Sequence, residues 1–203
     1  MTKKMLFLTI CSLMISCNNN NVNINETLQN TNIKGTLETE SSEHLTFNGI
    51  PIDGTLEQFV TKMVESGFTF VDDTLDYRAT LLGSFAGKDC IVYVYTHEKN
   101  EIVSNITIFI PGQKKWAHLY DDYISLKEML TGKYGQPYHE KERFLSKSIK
   151  NDQDRMLAVK QGNYEFGSCF VTDKGEIILC IDHQLSPCVL LRYKDKINSF
   201  TIK

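Results

Sequence analysis

The sequence lacks a long apolar run. Its longest, residues 5–15, rises about 16 Å as a helix, about half of a bilayer's hydrocarbon core. It lacks a basic excess as well. With 22 Lys and Arg against 25 Asp and Glu among 203 residues, the formal charge is -3. Nothing is available for a phosphate backbone, so the composition excludes nucleic acid as a partner. A hydrophobic content of 41% with 23% charged residues fits neither a multi-span membrane protein nor a disordered one.

Motifs of chemistry are missing too. The five histidines, His44, His97, His118, His139 and His183, have no ligand spacing. Asp72-Asp73 and Asp121-Asp122 are adjacent acids that point different ways on one element, and neither belongs to a calcium loop. Asp182-His183 and His97-Glu98 read as hairpin tips. There is no nucleophile elbow, phosphate loop or dinucleotide fingerprint. The sequence therefore implies no catalytic residue, no metal site and no cofactor.

What is present begins with an address. Lys3 and Lys4 precede the apolar run, which ends in Leu13-Met14-Ile15-Ser16-Cys17. A positive start and a short apolar stretch make a secretory signal over residues 1–16, not a transmembrane span. Cys17 stands where the apolar run ends and a polar tract starts, with the small Ser16 before it. Residues 17–46 then read as a lipidated cysteine and a flexible tether. The tract opens on four asparagines, and no aromatic residue follows until Phe47, too little apolar surface to offset ordering entropy.

Two folded stretches are expected, 47–112 and 113–203. Thr55-Leu56-Glu57-Gln58 is a capping-box pattern. Leu56, Phe59, Val60, Met63 and Val64 then share a helical face, and Gly67 is a fitting stop. Ser125 to Thr131 repeats the pattern class by class, although Trp116, Leu119, Tyr120 and Tyr123 extend its apolar stripe backwards. The spacing predicts one long helix over about 114–133, with Ser125 inside it.

Strand-like runs follow each helix: 68–71, 77–85, 90–96 and 102–110, then 143–146, 164–172, 177–182 and 188–193. They are β-branched and aromatic, with short gaps that suit antiparallel hairpins. Gly83-Ser84-Phe85 and Gly167-Ser168-Cys169 occupy matching places. Residues 147–153 look like a polar insertion. The fold class predicted is α+β: two tandem units, each a helix followed by a three- or four-stranded antiparallel sheet.

Four cysteines remain after Cys11 and Cys17. Cys90, Cys169, Cys180 and Cys188 permit two disulfides in any of three pairings, or none. A two-residue turn at Lys174-Gly175 would put Cys169 opposite Cys180. A three-residue loop, Asp173-Lys174-Gly175, would separate them. Tyr93 and Tyr95 share a strand face with Ile91, either finishing the core or forming an exposed aromatic binding face. Arg192, Lys194 and Lys196 read as a solvated edge that discourages strand pairing.

The lipobox-like end at Cys17, the Asn-rich tether, Phe47-Asn48-Gly49-Ile50-Pro51-Ile52-Asp53-Gly54 before a helix and Lys133-Tyr134-Gly135-Gln136-Pro137 after one carry a resemblance. The chain resembles uncharacterised envelope lipoproteins of gut Bacteroidetes. Its two-unit pattern is similar to the fold of the beta-lactamase inhibitory protein. The resemblance implies acylation of Cys17 and a membrane held by a lipid anchor. Because no acidic run follows Cys17, it implies the periplasmic face of the outer membrane. Asp73-Thr74-Leu75 resembles that group's O-glycosylation motif at Thr74. No functional residue carries over from the fold. The expected function is a non-catalytic module that docks an envelope protein, as an inhibitor or assembly partner. The alternative is a small-molecule or glycan binder, or a weak hydrolase, with a pocket between the two units.

Overall fold

A computed structural model of the chain describes residues 43–97, 101–112, 114–184 and 186–199; the side chains of 72–74 are left aside. The expected signal sequence, Cys17 and most of the expected tether lie outside the described residues. The described residues form one compact unit.

The elements run β1 (Thr46–Phe47), β2 (Ile50–Pro51), α1 (Leu56–Glu65), β3 (Thr69–Leu75), β4 (Arg78–Phe85), β5 (Lys88–Thr96), β6 (Val103–Ile110), α2 (Trp116–Tyr134), β7 (His139–Phe144), α3 (Asp152–Lys160), β8 (Tyr164–Thr172), β9 (Gly175–Asp182), β10 (Cys188–Asp195) and α4 (Lys196–Ser199). The class is α+β. Strands β3 to β10 make a single antiparallel sheet in the order β3-β4-β5-β6-β10-β9-β8-β7. The strands expected in two sheets are continuous, because β6 and β10 pair along six residues, from Val189 opposite Ile110 to Lys194 opposite Asn105.

Local chemistry explains the helices. Thr55 caps α1 by accepting from the Gln58 N–H at 3.3 Å, and Gln58 Oε1 accepts from the Thr55 N–H at 3.1 Å. Phe59 and Met63 are its buried residues. The chain leaves it through Gly67 at φ +98°, a left-handed conformation that glycine adopts without a Cβ penalty. In α2, Trp116, Leu119, Tyr123, Leu126 and Leu130 recur at helical spacing and are buried. Ser125 lies inside α2, its hydroxyl donating to the Asp122 carbonyl at 3.0 Å. The expected polar insertion, 147–153, overlaps only the first two residues of α3, whose Met156, Ala158 and Val159 are buried. Asn151 caps it, accepting from the Asp154 N–H at 2.9 Å.

Register assigns the faces. Leu81, Val92, Ile108, Leu191 and Leu179 follow one another across β4, β5, β6, β10 and β9. All are buried in one hydrophobic cluster with Phe59 and Met63 of α1 and Leu126 and Leu130 of α2. Both long helices therefore cover the same face of the sheet. In the middle of that core the Tyr123 hydroxyl meets the Ser168 hydroxyl at 2.9 Å, and burial pushes the Tyr123 phenol far above its usual range.

The matching Gly-Ser sequences do not occupy matching places. Gly83 pairs with Cys90, and a Cβ on it would lie 2.3 Å from the Phe68 ring on the helix side. Gly167 pairs with Cys180 on the other face, where a Cβ would meet its nearest neighbour at 3.5 Å. A one-residue offset in a strand exchanges the faces. Gly83→Ala should therefore cost about 1–3 kcal/mol in chemical denaturation through overpacking, while Gly167→Ala should change the midpoint little.

The end of the expected tether is built into the fold. Leu45 and Phe47, two residues apart, are 2% and 0% exposed. The Asp195 carboxylate, wholly buried at the end of β10, accepts from the Leu45 N–H at 2.7 Å and the Asn198 N–H at 3.0 Å. His44 Nδ1 lies 3.1 Å from the same carboxylate. The Asn198 amide donates to the carbonyls of Ile52 and Val103 and to Asp53 Oδ1. The first and last parts of the described fold are thus held by one polar network.

Candidate functional site

The second face of the sheet is the candidate site. Along β5 the buried Val92 and Val94 alternate with the half-buried Tyr93 and Tyr95. The tyrosines therefore do not finish the core; they stand on the face that the long helices leave uncovered. Register builds the surface in rows. Leu82, Ile91, Phe109 and Leu190 follow one another from β4 to β10 as an apolar row. Tyr93, Thr107, Arg192 and Ile178 form the next. Arg78, Tyr95, Asn105 and Lys194 form the third.

The centre is aromatic. The Tyr93 ring meets Phe109 edge-on with centroids 5.3 Å apart, and Tyr95 at 6.4 Å. The Arg78 guanidinium carbon lies 5.1 Å over the Tyr93 ring. The Tyr95 hydroxyl titrates above its ordinary value, because burial outweighs the favourable charge of Arg78 and Arg192.

Arg192 and Lys194 do not guard an edge. β10 pairs with β6 on one side and β9 on the other, so both residues project from the interior of the sheet. Their position follows from a strand order in which the last strand enters the middle. Sequence reasoning offered Tyr93 and Tyr95 but missed Arg78, whose place over Tyr93 depends on pairing between β4 and β5. The period-2 alternation of Arg78, Thr80 and Leu82 was the available signal.

Of the two readings open for the cysteines, bridged or free and buried, Cys90 and Cys188 take the second. Cys90 and Cys188 are free thiols. Thr172 accepts from the N–H groups of Lys174 and Gly175 at 3.1 and 3.0 Å, and so fixes a two-residue loop at Asp173-Lys174. Cys169 then faces Ile178, and Cys180 faces Gly167. The loop is neither of the two that the sequence offers, and it separates Cys169 from Cys180 as the three-residue form would. Burial first, then Asp89, raises the Cys90 thiol to about 11; burial and Asp182 raise Cys188 to about 12. Both are far from the thiolate a nucleophile needs. Iodoacetamide at pH 8 should leave Cys90 and Cys188 unmodified in the folded protein and alkylate both after denaturation, as read by peptide mass spectrometry.

The histidine tips are structural. Asp182 Oδ1 accepts from the N–H groups of His183 and Gln184 at 2.6 and 3.3 Å, a local turn. His183 Nδ1 lies 3.0 Å from the Tyr164 hydroxyl. Among the described residues no group of three or more His, Cys, Asp and Glu is placed to hold a metal ion. Thr74 falls on the edge strand β3, in a stretch of irregular register, and its side chain is outside the described part.

Two open clefts of about 390 Å³ each lie in the first half of the fold. One is lined by Leu56 and Val60 of α1 with Phe70 and Ala79, the other by Leu82, Cys90, Ile91 and Pro111 among others. Neither is lined by residues of β10. No family model, curated protein or solved structure matches the chain.

Proposed function

We propose that the protein is a lipid-anchored, non-catalytic binding module of the bacterial cell envelope, facing the periplasm from the outer membrane, and that it docks another envelope protein on the helix-free face of its sheet. One observation carries the docking: an eight-stranded sheet covered by its long helices on one face and bearing a Tyr93–Tyr95–Phe109–Arg78 cluster on the other. Tyr and Arg are enriched among the residues that concentrate binding energy at protein interfaces, and Tyr supplies large contact area at low entropy cost. Acylation at Cys17 supplies the address.

We also propose that the two halves are copies of one unit. Each long helix precedes four strands that end on the strand joining the halves, β6 or β10. Such a pairing of last strands is how two meanders make one wide face.

A photo-crosslinking residue in place of Leu82, on the rim of the helix-free face, tests the docking in living cells. It should give a discrete protein adduct, and the same residue in place of Leu157 on α3 should not. Adducts from Leu157 alone, or from neither position, would remove the reading. A small-molecule function would instead give a reproducible thermal shift in a ligand screen.

A further inference from the structure

We infer that the tyrosine-rich corner of this face receives a carboxylate of the docked protein, held by Arg78, Arg192 and Lys194. The inference rests on the docking reading and adds the chemistry of the partner: an acidic segment, Asp or Glu, with an apolar neighbour seated on Phe109 and Ile91.

The strands carry six basic side chains of Lys and Arg. Three of them are in ion pairs: Lys88 with Asp122, and Lys141 and Arg143 with Glu165. Arg78, Arg192 and Lys194 have no carboxylate within 4.0 Å among the described residues, although Lys194 faces Glu176 across β9. These three also stand on the helix-free face, in two adjacent rows. Arg78 is opposite Tyr95, Tyr95 opposite Asn105, and Asn105 opposite Lys194, while Arg192 stands one row over beside Thr107.

A cation that has no carboxylate within 4.0 Å among the described residues gains from an incoming one. Arg78 is suited to the task. Its guanidinium is already held over Tyr93, and its Nε is buried with no hydrogen-bond partner. A planar guanidinium meets a carboxylate through paired N–H donors, a geometry that lysine lacks. Tyr93 and Tyr95 wall the position and shelter the pair from water, where charge-assisted hydrogen bonds strengthen. On a chain of net charge -3 this corner is a local reversal of sign, so it selects an acidic partner rather than merely a sticky one.

Zero-length carbodiimide coupling tests this on the full-length protein in intact envelopes. It should join Lys194 Nζ to an Asp or Glu of a second protein, located by mass spectrometry. Arg78→Gln with Arg192→Gln should lower the yield at least about tenfold, with the thermal midpoint of the variant reporting that it remains folded. Arg192→Glu should abolish the adduct, and exchanging the identified partner acid for lysine should restore binding, read by the photo-crosslink from Leu82. If the Leu82 photo-adduct forms but Lys194 couples to no carboxylate, or the double glutamine variant docks as before, the carboxylate inference is wrong and the docking reading stands. If Leu82 gives no protein adduct, both fall. Coupling of this corner to an anionic glycan or lipid headgroup instead would overturn the choice of a protein partner.

Discussion

Asp195→Ala should lower the free energy of unfolding by about 3–5 kcal/mol, the range for breaking a buried charged partnership. In a chain of this size that corresponds to a fall in thermal midpoint of roughly 6–20 °C. The carboxylate is wholly buried and accepts from two backbone N–H groups, Leu45 and Asn198, with His44 beside it. Alanine leaves those buried donors without a partner, and each such group costs about 1–3 kcal/mol. Asp195→Asn keeps one acceptor and should lose about half as much. The variant should also loosen both chain ends together, because the same network joins residue 44 to residue 198. Amide exchange at Leu45 and at Asn198 should rise in parallel. Acceleration at one end only, or a midpoint within a degree of wild type, would show that the network does not bind the two ends.

An acid-side dependence belongs to the same region. The Asp53 carboxyl is raised by burial but held below its ordinary range overall, by the Gly54 N–H, the Asn198 amide, His44 and Lys62. A depressed carboxyl contributes stability that is full above its unfolded value near 3.8 and is lost as pH falls through the folded value. Asp53→Asn should flatten that part of the acid unfolding curve and leave the neutral range nearly unchanged.

Cys17→Ala should move the protein from the membrane pellet almost wholly into the soluble fraction. Anchoring by two or more acyl chains is effectively stable, whereas a single chain binds only marginally, and among the described residues no helix is long and apolar enough to cross a membrane. A palmitate analogue should label the wild type and not the variant. Label that persists in the variant, or a variant that still sediments after an alkaline wash, would end the lipid-anchor proposal. The folded part should be unaffected, so thermal midpoints of wild type and variant in detergent should agree.

How much of this was legible depended on the range of the interactions involved. The capping box at Thr55 and the apolar spacing of Phe59 and Met63 are local, and α1 follows directly. The stripe from Trp116 to Leu130 is local too, and it decides for the long helix with Ser125 inside. α3 was missed because its buried set, Met156, Ala158 and Val159, is short and set among polar residues. Its one signal was Asn151 three residues before Asp154. Neither turn offered by the sequence, Lys174-Gly175 or Asp173-Lys174-Gly175, is the one formed, because the Thr172 side chain fixes the loop at Asp173-Lys174. That loop moves Cys169 away from Cys180. The charged corner was illegible for a different reason. Arg78 and Arg192 lie on β4 and β10, and only the register of β4, β5, β6 and β10 brings them near the same two tyrosines. Arg192 reads as an edge charge until β10 is seen to enter the middle of the sheet.

The proposed docking face is tested most directly by hydroxyl-radical footprinting of the protein in intact cells against the purified protein. The account predicts protection of Tyr93, Tyr95 and Phe109 in the cells, with Tyr138, 67% exposed beyond α2, modified equally in both. Equal modification of the three aromatic residues in both preparations, or protection at Tyr138 alone, would contradict it.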